Sequence, residues 1–401
     1  MRLPVLFILI TIVIDSMGIG LIMPVMPDLI RELHGGSLGN AAIWGGILTT
    51  AFAVMQFLFG PTVGNLSDWY GRRPILLVTL VVMAADYLVM AVAGTIWLLF
   101  IGRIVAGITA ATHSAASAYM ADISKPDEKA ANFGLIGAAF GVGFVLGPMI
   151  GGLLGTFGTR APFYAAAALA ILNAGFGYFV LPETVTDRIR RPFEWRRANP
   201  LGAFRYVGSL TGFVPLLVML FLAGIAFFVY PAVWAFYGQE RFGWGPGLIG
   251  LSLGAYGIGT IFAQGLLIRP VLKRFGEYRT VLIGLTIDII AFVSFAFVSN
   301  GYVALALAIF ASMGSIMGPA LQAILSRAAD DNQQGELQGT MAAINALASI
   351  VAPLMMTGIF AYFTAAGARI YLPGAPFLLS AALVIGGLFL FTASSTARKV
   401  S

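Results

Sequence analysis

Apolar runs of about twenty residues or more recur along this 401-residue chain, separated by short polar breaks that hold most of the charge. Twelve of them are long enough to cross about 30 Å of hydrocarbon as helices. They lie near residues 4–27, 40–62, 74–93, 96–120, 130–153, 161–181, 212–237, 246–270, 279–298, 301–326, 335–363 and 374–394. One break is deeper than the rest and gathers Pro182, Glu183, Asp187, Arg188, Arg190, Arg191, Pro192, Arg196, Arg197 and Pro200. The pattern predicts an all-α membrane protein with six-helix bundles over 1–181 and 212–401 and a cytoplasmic linker over 182–211. Within the linker, residues 193–197 read as a short amphipathic helix on the membrane surface.

Composition agrees with this pattern. Hydrophobic residues make up 59% of the chain and charged residues only 10%, against about 25% charged in soluble domains. The first run is too long for a signal core, contains Asp15 and shows no Ala-x-Ala-type cleavage site, so it reads as a retained first span. With no cysteine, disulfides, thiol catalysis and thiolate metal sites are excluded. The formal charge of +6 is a matter of topology. With the N-terminus inside, 18 of the 23 Lys and Arg fall in inward loops or tails, four fall outside (Arg31, Arg160, Arg241, Arg369), and Arg103 is buried. That bias predicts cytoplasmic N- and C-termini and attraction to anionic inner-leaflet lipid, not nucleic-acid binding.

The two halves resemble each other at a shift of 205 residues, which pairs Gly71 with Gly276, Gly134 with Gly339 and Pro148 with Pro353. Three anchors at one offset, with six helices per half, point to a parallel duplication. The twelve helices therefore form two six-helix pseudo-repeats. Four ionisable residues interrupt the apolar runs: Asp15, Asp86, Arg103 and Asp288. Facing lipid unpaired, they would cost on the order of 10–14 kcal/mol together. They are expected to face inward, onto a shared cavity that serves as a substrate or proton pathway.

Two glycine motifs are informative. Residues 64–73, Gly64-Asn65-Leu66-Ser67-Asp68-Trp69-Tyr70-Gly71-Arg72-Arg73, have the form GxxxDxxGRR. Here Gly64 and Gly71 would permit a tight cytoplasmic turn with positive φ, while Asp68 could pair with an arginine or a helix N-terminus. In the fifth span, Gly134, Gly143, Gly147, Pro148, Gly151 and Gly152 combine small residues that allow close helix approach with a helix-bending proline.

The first motif, with twelve spans and a central linker, resembles the signature of the major facilitator superfamily, and the second resembles its antiporter motif. The resemblance implies the major facilitator fold, export rather than import, and a cytoplasmic gate formed by Gly64, Asp68, Gly71, Arg72 and Arg73, with Asp122 as a further partner. Within that superfamily the chain is similar to the tetracycline-efflux branch over essentially its whole length. The likeness is carried by Asp15-Ser16-Met17-Gly18-Ile19-Gly20 with Pro24, by Asp86-Tyr87, and by residues 101–109, IGRIVAGIT. It is carried further by residues 276–280, GEYRT, by Asp288, and by residues 333–339, QQGELQG.

The resemblance implies that Asp15, Asp86 and Asp288 couple protons and that Arg103, Gln56 and Gln264 line the substrate path. The expected cargo is a tetracycline-like drug, carried as a cationic metal chelate, exchanged for protons across the cytoplasmic membrane by a monomer with no resident cofactor. Asp288, with Asp15, is expected to alternate between proton-bound and cargo- or arginine-paired states. Trp234 is the aromatic expected to stack on the cargo; Phe52, Tyr230, Phe236 and Tyr237 are further candidates. One departure stands out. The branch usually carries a histidine four residues before Gln264, where this chain has Thr260. A broader multidrug or small-metabolite exporter is therefore the alternative. Enzyme or receptor function is disfavoured, since no catalytic constellation is present.

Overall fold

A computed structural model describes residues 3–110, 112–125, 128–186, 190–195, 199–200, 202, 213–329 and 334–394. Arg2, Arg398 and Lys399, which are among the 18 inward basic residues, lie outside the described residues, as do Asp187, Arg188, Arg196, Arg197 and Gln333. The first eight helices are α1 Leu3–Ile22, α2 Met26–His34, α3 Leu38–Tyr70, α4 Arg72–Val92, α5 Ile96–Thr109, α6 Thr112–Ile123, α7 Lys129–Gly155 and α8 Ala161–Val180. The remaining eight are α9 Val214–Phe227, α10 Val229–Phe242, α11 Pro246–Phe262, α12 Ile268–Phe297, α13 Gly301–Ser312, α14 Met317–Ala328, α15 Gln334–Thr364 and α16 Ala375–Ala393. Among the described residues there is no strand.

These helices make a multi-pass membrane protein. Among the described residues, eleven stretches are long and apolar enough to cross a bilayer, and the longest, Pro246–Phe297, holds 52 residues. Gly276 interrupts that stretch with φ 74° and ψ 174°, dividing it into two spanning lengths and giving twelve. Several spans are jointed. A break at Ala110 separates α5 from α6, and a 3-10 turn at Met313–Ile316 separates α13 from α14. A π-helical turn at Ala263–Leu267 joins α11 to α12.

Three expectations are corrected locally. The run at 4–27 is two helices: Pro24 has no N–H to continue α1, and the chain turns through Met23 N to Gly20 O (3.3 Å) and Val25 N to Ile22 O (3.2 Å). The helix of the second span continues to Tyr70, so Gly64 lies inside α3 and not in a turn; the turn is made by Gly71 alone. In the linker, residues 193–195 form no helix, and the rest of the expected surface helix falls outside the described residues.

The chain forms two compact units, Met1–Gly35 with Ala51–Pro200 and Gly245–Gly254, and Gly36–Thr50 with Leu201–Trp244 and Ala255–Ser401. In the first, Phe7, Ile8 and Ile12 of α1 pack with Leu76, Leu80, Tyr119 and Met120. The second is built round an aromatic core in which Trp234, 2% exposed, meets Phe295 at 5.0 Å and Phe377 at 6.0 Å between ring centroids. It also takes in the N-terminal part of α3, up to Thr50, because Gly39 lets that helix approach Ala361, and Thr50 Oγ1 donates to Ile350 O at 3.1 Å.

Candidate functional site

Within the first unit, α1, α3, α4, α5 and α6 surround a cavity of about 160 Å³. Its lining includes Asp15, Phe52, Gln56, Asp86, Tyr87, Arg103 and His113. Asp86, 6% exposed, is ion-paired with Arg103 Nη2. The same nitrogen lies 3.0 Å from Met90 Sδ, and the guanidinium sits 5.5 Å from the centre of the Phe52 ring. The pairing is incomplete: Asp86 Oδ1 and Arg103 Nε have no hydrogen-bond partner. Gln56 Nε2 donates to Ala110 O at 3.2 Å, satisfying a carbonyl freed by the α5–α6 break. Among the described residues Asp15 has neither a salt bridge nor a hydrogen bond.

Asp288 belongs to the second unit and does not line this cavity. It is 3% exposed, and its Oδ2 has no partner. Its carboxylate lies against Gly314, where an added Cβ would overlap Oδ1 and fall 2.7 Å from Cγ. Gly314 sits in the 3-10 turn, whose Ser315 O accepts from Gln264 Nε2 at 3.4 Å. The two irregular turns, π and 3-10, thus meet beside the helix that carries Asp288. Such turns expose carbonyls that a regular helix would use.

Of the aromatics expected near the cargo, only Phe52 lines the cavity. Trp234 packs in the aromatic core described above, Phe236 against Phe360, and Tyr237 donates from its hydroxyl to Phe295 O at 2.6 Å. Tyr230 faces Tyr256 at 4.9 Å. Thr260 Oγ1 donates to Tyr256 O at 3.0 Å, closing its hydroxyl onto its own helix.

The motif at 64–73 forms an ionic knot. Arg72 Nη1 meets Asp68 Oδ1 at 2.5 Å, and Arg72 Nε meets Asp122 Oδ2 at 3.3 Å. Gly71 carries φ 121°, a value an L side chain rarely adopts, and its Cβ would collide with Glu183. The sequence marks Glu183 only as part of the linker, yet its carboxylate caps α4, accepting from Arg72 N (2.9 Å) and Arg73 N (3.2 Å). Arg73 Nη2 donates to Tyr178 O at 2.8 Å, anchoring the end of α8. The second half repeats the junction with charges reversed. At the same shift of 205, Arg72 becomes Glu277 and Asp122 becomes Arg327, and Arg327 Nη2 meets Glu277 Oε1 at 2.6 Å.

The glycines of α7 form a seam against α1. Added Cβ atoms would lie 3.0 Å from Met17 N at Gly143, 3.1 Å from Gly20 Cα at Gly147 and 2.7 Å from Leu21 Cα at Gly151. Pro148 itself packs onto Gly20, with Cγ 2.9 Å from that glycine's ideal Cβ position. Gly152 turns the other way, toward Gly250 Cα at 2.9 Å. A Cβ added at Gly134 would meet nothing within 4 Å beyond its own helix backbone, so that residue takes no part in the seam.

Charged groups held at mid-span in jointed helices, one set of them around a cavity, define a membrane transporter. The chain matches the Major Facilitator Superfamily profile over residues 8–353 and 216–400, and it belongs to that superfamily. It is 43% identical over 352 residues to the tetracycline resistance protein, class C, of Escherichia coli, covering 88% of each. To the class G protein of Vibrio anguillarum it is 38% identical, covering 90% of this chain and 91% of that one. Its backbone resembles a D-xylose–proton symporter with TM-score 0.76 at 17% identity, covering 98% of each chain. The human organic anion transporter MFSD10 gives TM-score 0.69 at 23% identity, covering 97% of this chain and 99% of that one.

Proposed function

We propose that this chain exports tetracycline-type drugs across the cytoplasmic membrane in exchange for protons, as a monomer with both termini in the cytoplasm. The observation that carries this reading is a cavity in which Asp86 is paired with Arg103 while Asp15 has no partner. An unpaired carboxylate in low dielectric needs a proton or a cation, and these are the two species an antiporter of cationic cargo exchanges. Similarity to tetracycline resistance proteins over nearly nine-tenths of the chain selects the drug class.

In this scheme cargo, brought as its metal chelate, meets Asp15 and the ring of Phe52, and Gln56 supplies a polar contact. Asp288 in the second unit holds a proton when no cation is near it, and Gln264 lies beside the same helix joint. At about 160 Å³ the cavity is smaller than the roughly 300–1,000 Å³ of pockets that enclose a drug-sized ligand. It therefore receives the charged end of the cargo rather than the whole molecule. Each proton that enters down a 100 mV potential contributes about 2.3 kcal/mol, so one or two suffice for concentrative export. Asp68, Arg72, Arg73 and Asp122, with Gly71 at the turn, belong to the cytoplasmic gate. The α7 seam supplies close packing at the antiporter motif.

Everted vesicles provide the test: tetracycline with magnesium should enter on energisation, dissipate the proton gradient and stop entering when a protonophore is added. Drug movement indifferent to protonophore would sink the exchange. Thr260 favours a second reading, a broader drug exporter, because its hydroxyl bonds its own helix and cannot titrate. Protection of a sensitive host against cationic dyes but not tetracycline would select that reading.

A further inference from the structure

His113 is the one cavity-lining residue whose charge changes between pH 5 and 8 in its ordinary state, and the scheme above does not use it. It sits in the first turn of α6, just beyond the joint with α5, exposed and lining the cavity with Asp15. Its ring is held by an edge-on contact with Phe140 of α7, at 5.8 Å and 83° between planes. Among the described residues no hydrogen bond ties either ring nitrogen. A histidine that serves packing is buried and satisfied; this one is neither.

Its titratable and charged neighbours in the cavity are Asp15 on α1, Asp86 and Tyr87 on α4, and Arg103 on α5. α3 presents the uncharged Phe52 and Gln56, and α7 the uncharged Phe140. Asp86 and Arg103 neutralise each other, and a phenol ordinarily titrates near pH 10. Asp15 and His113 are left as the two titratable groups of the cavity, among the described residues, with no ion-pair partner.

We propose that His113 is a second proton-exchanging residue of the cavity. Its imidazole takes a proton from cavity water beside the Asp15 carboxylate and returns it to that water when a cationic cargo occupies the space. An imidazolium and a cationic cargo repel each other and compete for the same carboxylate, which couples release of the one to entry of the other. The cargo half of this statement rests on the export reading above; the titration does not.

The sequence contains only two histidines, so His34→Asn leaves a single imidazole in the full chain. In lipid nanodiscs, diethyl pyrocarbonate should modify that imidazole at a rate that depends on pH between 5 and 8. Asp15→Asn should alter the profile, and magnesium–tetracycline should slow the reaction severalfold. An unreactive imidazole, a rate flat across that range, or a profile indifferent to Asp15→Asn would overturn the proposal. In proteoliposomes, His113→Gln should change the pH dependence of tetracycline–proton exchange, and a wild-type profile in that variant would also overturn it. A complete absence of tetracycline exchange in the unaltered protein would sink the export reading alone, since the single-imidazole measurement would still decide the role of His113.

Discussion

Asp86 and Asp288 lie three residues out of register under the 205-residue repeat, and both are nearly inaccessible. Their surroundings differ in kind. Asp86 faces Arg103, so its charge is answered within the protein. Asp288 faces a glycine and has an oxygen with no partner. An isolated buried charge costs several kcal/mol even after relaxation, so Asp288 must borrow a proton or a cation. In the proposed exchange cycle this contrast favours a standing charge on Asp86 and an exchangeable one on Asp288, although the sequence places them near equivalent points of the repeat.

The largest effect should come from Asp288→Asn, which is expected to reduce drug–proton exchange in everted vesicles to background while leaving the amount of membrane-inserted protein unchanged. Exchange at the wild-type rate would remove Asp288 from the cycle. Next, Arg103→Met strands the Asp86 charge and should destabilise the protein by about 3–5 kcal/mol, whereas adding Asp86→Leu should restore most of that loss. Thermal unfolding in detergent would show the difference, and equal melting of the single and double variants would mean the pair is not what holds the site. Gly147→Val, which forces side-chain atoms into α1, should cost about 1–3 kcal/mol in the same assay, with Gly134→Ala silent as its control. Smallest, Glu183→Gln should cost about 1 kcal/mol through a weaker cap on α4; an unchanged melting temperature would argue that water replaces the carboxylate.

Much of the architecture was legible, because a span must be apolar and long, and Gly71 and Gly276 mark their turns through a backbone only glycine adopts readily. The gathering of Asp15, Asp86 and Arg103 was legible too, since charge inside an apolar run has few places to go. Other features left no local mark. Glu183 finds its partners more than a hundred residues earlier in the chain. The π and 3-10 turns arise from packing that propensity does not encode. Trp234 was misplaced because an aromatic looks the same in sequence whether it meets a ligand or Phe377. Gly64 shares its motif with Gly71 but is an ordinary helical residue.

The Glu183 clasp has a practical consequence. Thr184 N and Val185 N close back onto the same carboxylate at 2.9 Å each, and Tyr119 donates to Pro182 O at 3.0 Å. The first residues past α8 are thus integral to the amino-terminal bundle and are not free tether. If the two halves are produced as separate polypeptides, the amino-terminal fragment should be carried through at least Val185. A fragment stopping at Leu181 would start α4 with bare N–H groups and be harder to recover intact.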